Sequence, residues 1–310
     1  MGGKVLRVLL SSTGYPLYTL VVLVGLLWLL FPAEAVQARL EQELQKHYPG
    51  YDWKIGSLGL ALPDGLVLTD VQIAPMEGKD VILTFDRVTV APVAESLFSK
   101  DKAIHFTLHL LQGDIRGRVL LSSSSKQFTF RGTFEGLQPA TLEVVQQRLQ
   151  RKLDGTLAGT FSGKGKWNSV LQAQLQGKLR LTGGTLQFKE PVLGLNALPY
   201  KEIKTDFKRQ DGQWLFEQGT LQSPMINGTF SGSIQTAGTL GSSRLQFTGA
   251  LTPRSEMFAG LKNTQLAEVV RTHLKGDGLP FTVNGTAAEP GIRFSGELAR
   301  ALKGLKRSAK

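Results

Sequence analysis

A chain of 310 residues, 41% of them hydrophobic, is long enough for one large or two ordinary domains with an apolar core. It has no cysteine, so nothing in it depends on disulfides or a thiolate-bound metal; 35 glycines beside only 5 tyrosines and 4 tryptophans favour short strands and turns over helices. The net charge of +11 sits largely at the two ends, on Lys4 and Arg7 and on Arg300, Lys303, Lys306, Arg307 and Lys310. The body keeps only about +4, which speaks against a nucleic-acid partner, since that would need the excess along a folded face.

The first element is apolar. From Val8 to Ala33 no residue carries a formal charge, and the dense run from Leu17 to Phe31 is 15 residues long. At 1.5 Å per residue that run makes about 22 Å of helix. A bilayer core is about 30 Å thick, so a span must borrow from Val8–Tyr15. Lys4 and Arg7 ahead of it predict a cytoplasmic N-terminus, with everything after Phe31 exported. The alternative is a signal peptide cleaved at the small-x-small site Ala33-Glu34-Ala35. An uncleaved anchor is the preferred reading, because "AEAVQARLEQELQKHYPG" follows at once as an amphipathic helix with Val36, Leu40 and Leu44 on one stripe.

After residue 50 the period is two, the signature of half-buried strands. Ile104, Phe106, Leu108 and Leu110 share a face, as do Phe128, Phe130 and Phe134. The same holds for Ile226, Phe230 and Ile234, for Leu245, Phe247 and Leu251, for Phe281 and Val283, and for Ile292, Phe294, Gly296 and Leu298. Asp211-Gly212 is the chemistry of a two-residue type I′ turn. Helical spacing interrupts twice, over "QPATLEVVQQRLQRKLDG" and "SEMFAGLKNTQLAEVVRTHLKGDG". These helices either lie on the apolar face or plug one end of the sheet. The terminal "ARALKGLKRSAK" reads as a basic tail, soluble or in contact with anionic headgroups.

Glycine punctuates the strands. Gly-Thr followed by Leu or Phe recurs at Gly132, Gly155, Gly159, Gly184, Gly219, Gly228 and Gly238 at irregular spacing, which is no fixed-period solenoid. In "KLRLTGGTLQF", Leu179 and Leu181 are odd while Leu186 and Phe188 are even. Gly183 and Gly184 are therefore expected to bend the sheet, as a bulge or a tight corner, and return both halves to one face. No nucleophile elbow, phosphate loop or paired-His helix motif occurs. His105 and His109 share a polar strand face, read as solvated rather than metal-binding. No catalytic residue, cofactor or metal is expected.

The layout resembles a known family. A short anchor ends in Phe-Pro; an amphipathic helix, "WKIGSLGLALPDGLVLTDVQI" and glycine-punctuated strands follow. This is similar to the type II secretion system protein N family in its delta-proteobacterial and spirochaete form. The C-terminal half resembles AsmA-like proteins, in "GKLRLTGGTLQF", in "LPYKEIKTDFKRQDGQWLFEQGTLQSPMINGTFSGSI" and in the ending "VNGTAAEPGIRFSGEL".

The resemblance implies a mainly β protein: an elongated, curled antiparallel sheet forming an AsmA-like groove, with a few helices and one N-terminal transmembrane helix. Residues 1–32 would be cytoplasmic N-terminus and anchor, 33–299 a periplasmic β-rich domain, and 300–310 the basic tail. The implied function is a non-enzymatic, single-pass inner-membrane accessory of type II secretion. Its sheet would face the pseudopilus, the inner-membrane platform or the secretin. The alternative is a lipid-binding or lipid-transfer groove lined by Ile226, Phe230, Ile234, Leu245, Phe247 and Leu251, whose occupant would be membrane lipid. Burial of those residues under the chain's own helices is the competing outcome.

Overall fold

The computed structural model describes residues 29–61, 65–75, 83–141, 154–237, 241–261, 264–274, 278–294 and 296–308, with Tyr18, Thr19, Val22, Gly25 and Leu26 ahead of them. Fourteen strands form one sheet in strict chain order. They are β1 (Tyr51–Ala61), β2 (Gly65–Pro75), β3 (Leu83–Pro92), β4 (Lys102–Leu110), β5 (Gly113–Ser122), β6 (Gln127–Leu137) and β7 (Thr156–Lys166). Then come β8 (Gln174–Val192), β9 (Leu195–Gln210), β10 (Gln213–Gln222), β11 (Ile226–Gln235), β12 (Arg244–Pro253), β13 (Leu279–Thr286) and β14 (Pro290–Phe294). Among the described residues four α-helices accompany the sheet: α1 (Ala33–His47), α2 (Ser255–Gly260), α3 (Thr264–Thr272) and α4 (Gly296–Ser308).

Every strand pairs antiparallel with the next in sequence. Such a meander follows from short connections and alternating patterns, since each strand finds its partner one turn away. Asp211 and Gly212 take φ of 51° and 77°, the positive pair a type I′ turn requires. Fourteen strands at about 4.8 Å give a sheet about 60 Å across.

Cross-strand register carries one apolar face from end to end. Ile104, Phe106 and Leu108 of β4 stand opposite Val119, Gly117 and Ile115 of β5. These in turn face Phe130, Gly132 and Phe134 of β6. The other face is polar and carries basic side chains, several of them paired with Asp114, Glu202, Asp206 and Glu217. In one row Arg118 stands opposite Arg131, Arg131 opposite Ser162, Ser162 opposite Gln176 and Gln176 opposite Lys208.

Keeping one face apolar takes two devices where the strand pattern changes parity. The first is the bulge. In β10, Gln218 takes φ 52° and the register slips by one against both neighbours, so Trp214 and Phe216 share a face with Gly219 and Leu221. In β6, Gly136 (φ 72°) does the same between Phe134 and Leu137. The second device keeps the register. Gly183 has φ 65°, and β9 changes parity across from it, so Leu181 pairs with Ile203 and Gly184 with Tyr200 without a slip. The parity change at Gly183-Gly184 therefore restores the apolar face as expected, but between β8 and β9 it is a shared backbone flip and not a bulge. A second flip spans β1 and β2, where Gly56 lies across from Asp70 (φ 52°): Ile55 pairs with Val71 and Leu58 with Leu68.

Two expectations at the C-terminus are corrected. The alternation does not run through Leu298, because Gly296 turns to φ 68° and α4 begins there. The residues read as a tail are helical as far as Ser308, and Leu298 and Leu302 pack on the core. The helix predicted at 141–152 begins with a 3-10 turn, Pro139–Thr141, and residues 142–153 lie outside the described residues. The anchor also lies mostly outside them; among the described residues no helix is long and apolar enough to cross a membrane.

Candidate functional site

The apolar face is the candidate site, and its composition is unusual in one respect. Phenylalanine and glycine stand directly opposite one another again and again. Phe106 faces Gly117, Phe161 faces Gly132, and Phe134, Phe130 and Phe128 face Gly159, Gly163 and Gly165. Further along, Phe207 faces Gly177, Phe230 faces Gly219, Phe247 faces Gly232 and Phe281 faces Gly249.

In each pair the ring lies over the glycine. A Cβ built on Gly117 would meet Phe106 Cζ at 2.5 Å, one on Gly132 Phe161 Cζ at 2.6 Å, and one on Gly165 Phe128 Cζ at 2.7 Å. Three of the recurring Gly-Thr-Leu/Phe stretches, at Gly132, Gly159 and Gly219, fall at these places, while Gly155 and Gly184 instead meet the Tyr200 hydroxyl and Gly228 meets Leu251. The missing side chain is a berth for the ring of the next strand. The aromatic covers backbone that glycine leaves bare, the pairing that designed sheets use to rescue glycine.

Rings that lie down also reach one another. Phe128, Phe130, Phe161 and Phe134 form a chain with successive centroids 5.9, 6.1 and 6.4 Å apart. Phe216, Phe247 and Phe230 form a second, at 5.7 and 6.3 Å. No described helix lies over β4 to β7, and Phe106, Phe130 and Phe161 remain half-buried there.

At its C-terminal end the face is covered. Leu193, Leu195, Leu198, Ile226, Met257, Val270, Leu279 and Leu298 make the largest buried cluster, closed by α2, α3 and α4. This divides the six candidate lining residues. Ile226 is only 2% exposed inside that cluster, and Leu251 packs against it. Phe230, Ile234, Leu245 and Phe247 lie outside it and stay half-buried. The groove expected over β11 and β12 is thus closed at the Ile226 end by the chain's own helices. A smaller cluster at the other end seats Phe31, Ala33, Val36 and Leu40 on Ile55, Leu58, Leu68 and Val71.

A buried tyrosine ties two distant segments together in the middle of the sheet. Tyr200 is buried, and its hydroxyl donates to the backbone carbonyl of Asp154 beside Gly184. Burial, reinforced by the Asp154 carboxylate, pushes its phenol up to about 12. The signal was present only as a tyrosine in "LPYKEIK", and its partner lies 46 residues away.

On the polar face a hollow of about 770 Å³ opens across β5 to β9, with Arg118, Arg131, Lys164 and Lys208 among its lining. His105 and His109 lie on this face. His109 pairs through Nδ1 with Asp114, and His105 stands opposite Arg118. Among the described residues no three metal-ligating side chains converge.

Comparison with known proteins leaves the geometry to speak alone. No family model, no curated protein and no solved structure matches this chain.

Proposed function

We propose that this chain is a non-enzymatic, inner-membrane-anchored accessory of type II protein secretion, holding a periplasmic β-sheet toward the pseudopilus, platform or secretin. The observation that carries it is the single sheet in chain order, whose rows of side chains present long continuous faces. The N-terminal charge pattern and the family resemblance support the anchor and the compartment. Deleting the gene should lower secretion of exported enzymes or disturb secretin assembly. Unchanged secretion and unchanged secretin assembly would sink the reading.

A second reading, an AsmA-like curled groove for lipid, is favoured by one specific observation. Phe106, Phe130, Phe161, Phe230 and Phe247 form a half-buried aromatic floor with glycines opposite them. Flat rings on a bare backbone leave room above them for acyl chains. Native mass spectrometry of the full chain, released from detergent, separates the readings. A stoichiometric lipid lost on Phe230→Ser supports the groove, and its absence leaves the sheet as a protein-binding surface.

A further inference from the structure

The connection between β3 and β4 is built in a way that neither reading uses. Its Phe98 is 98% exposed and Leu97 is 50% exposed, while the backbone around them is internally bonded. The amides of Val93, Ser96, Leu97 and Ser99 donate to carbonyls within the connection or at the start of β4. Lys102 Nζ reaches back to the carbonyls of Leu97 at 2.8 Å and Ser99 at 2.9 Å. Ser96 Oγ donates to Val93 O and accepts from the Ala103 amide, both within 2.9 Å. Ser123 fastens the outer turn to β5 by donating through Oγ to Lys100 O at 2.9 Å. A loop with spare polar groups cannot leave water cheaply. This one pairs the amides of Val93, Ser96, Leu97 and Ser99, keeps the charges of Glu95 and Lys100 in solvent, and exposes its two largest apolar side chains.

Its position supplies the occupant. In a meander the β1–β2 and β3–β4 connections fall on the same edge, two strand spacings or about 10 Å apart. Helix α1 runs antiparallel to β1. Its C-terminal end leads through residues 48–50 into Tyr51, and Gln37 and Glu41 bond Ile55 in mid-strand. Ala33 therefore points toward that same edge, and the apolar run ending at Phe31 leaves from it.

We infer that Leu97 and Phe98 form a wedge that enters the outer interface of the bilayer holding the N-terminal anchor, fixing the tilt of the sheet over the membrane. A protein partner is the competing occupant. An apolar tip one strand pair from the anchor, with Lys100 beside it to reach headgroups, suits a lipid surface better. The inference rests on the anchor reading.

The absence of cysteine gives a clean test. The full chain carrying Phe98→Cys or Asn196→Cys, each with an environment-sensitive fluorophore, is reconstituted into phosphatidylcholine–phosphatidylglycerol vesicles. Asn196 is exposed on the opposite edge, next to the β8–β9 turn. Acyl-brominated lipid is expected to quench the label at 98 about threefold or more over that at 196, as suits burial of several ångströms. Equal quenching in a chain that still floats with the vesicles overturns the wedge and assigns the tip to a protein partner. A chain that does not float overturns the anchor, and the wedge with it.

Discussion

Two stretches of one apolar face are kept out of water by different means. At the C-terminal end the face is capped: α2, α3 and α4 close over Leu193, Leu195, Leu198, Ile226 and Leu279. Over β4 to β7 phenylalanines lie on glycines beside a smaller cluster of Leu110, Phe134 and Leu137, and no described α-helix lies over it. An upright leucine needs a second layer. A ring laid on a neighbouring glycine covers backbone and part of its own area within the sheet. The difference shows that rings laid on glycine shield part of a face within the sheet itself, where the C-terminal end relies on helices.

The largest loss of stability is expected at the helical end. Met257 is 0% exposed beneath the C-terminal strands. Met257→Ala should cost about 3–4 kcal/mol, because the cavity it leaves is walled by packed helices. Phe161→Ala, on the half-buried strip, should cost clearly less despite the larger side chain. Urea midpoints at unchanged slope would rank the two. A reversed order would mean that the strip is the true core.

Much of this division was legible in the sequence. Alternation placed Phe128, Phe130 and Phe134 on one face, and parity located the switch at Gly183. Helical spacing predicted α3 with Val269 and Val270. What stayed hidden depends on register. That Phe161 lies on Gly132 follows only once β6 and β7 are paired, because the two residues are remote in sequence. The flip at Asp70 was invisible for the same kind of reason: a lone aspartate at positive φ carries no pattern. Ile226 looked like groove lining because alternation reports a face and not what covers it.

The ring-on-glycine strip can be probed directly. A Cβ on Gly165 would meet only side chains, Phe128 at 2.7 Å and Ala173 at 3.0 Å. Gly165→Ala should therefore cost about 1–2 kcal/mol by displacing the ring. Adding Phe128→Leu should cost less than the two single changes summed, with a coupling of about 1 kcal/mol. Strict additivity in the double-mutant cycle would show that the ring does not rest on the glycine.

Tyr200 joins the two regions and titrates. Its phenol is pushed up to about 12 by burial and by Asp154, above the usual 10. The folded state thus holds the proton more tightly than the unfolded chain does. That contribution is fully present below about pH 10 and is lost as pH rises toward 12. Tyr200→Phe should cost about 1 kcal/mol at neutral pH through the lost bond to Asp154 O. It should also flatten the alkaline fall in stability. A variant that keeps the same fall between pH 10 and 12 would assign it to another group.

The smallest effect concerns the polar face behind the strip. Arg118 and Arg131 are directly opposite in register on adjacent strands, and like charges so placed repel. They line a hollow with Lys164 and with Lys208, whose ammonium is paired with Glu217 at 3.6 Å, so the repulsion is centred on the two guanidinium groups. Arg131→Glu should therefore raise stability, by about 0.5 kcal/mol at low salt. Because these side chains reach solvent, the gain should shrink as ionic strength shortens the screening length. The two signs together are diagnostic. A loss of stability at low salt would mean that the guanidinium groups are held by stacking, so that the basic row contributes to the fold. A gain that fades with salt would mean that the row is kept at a cost to stability.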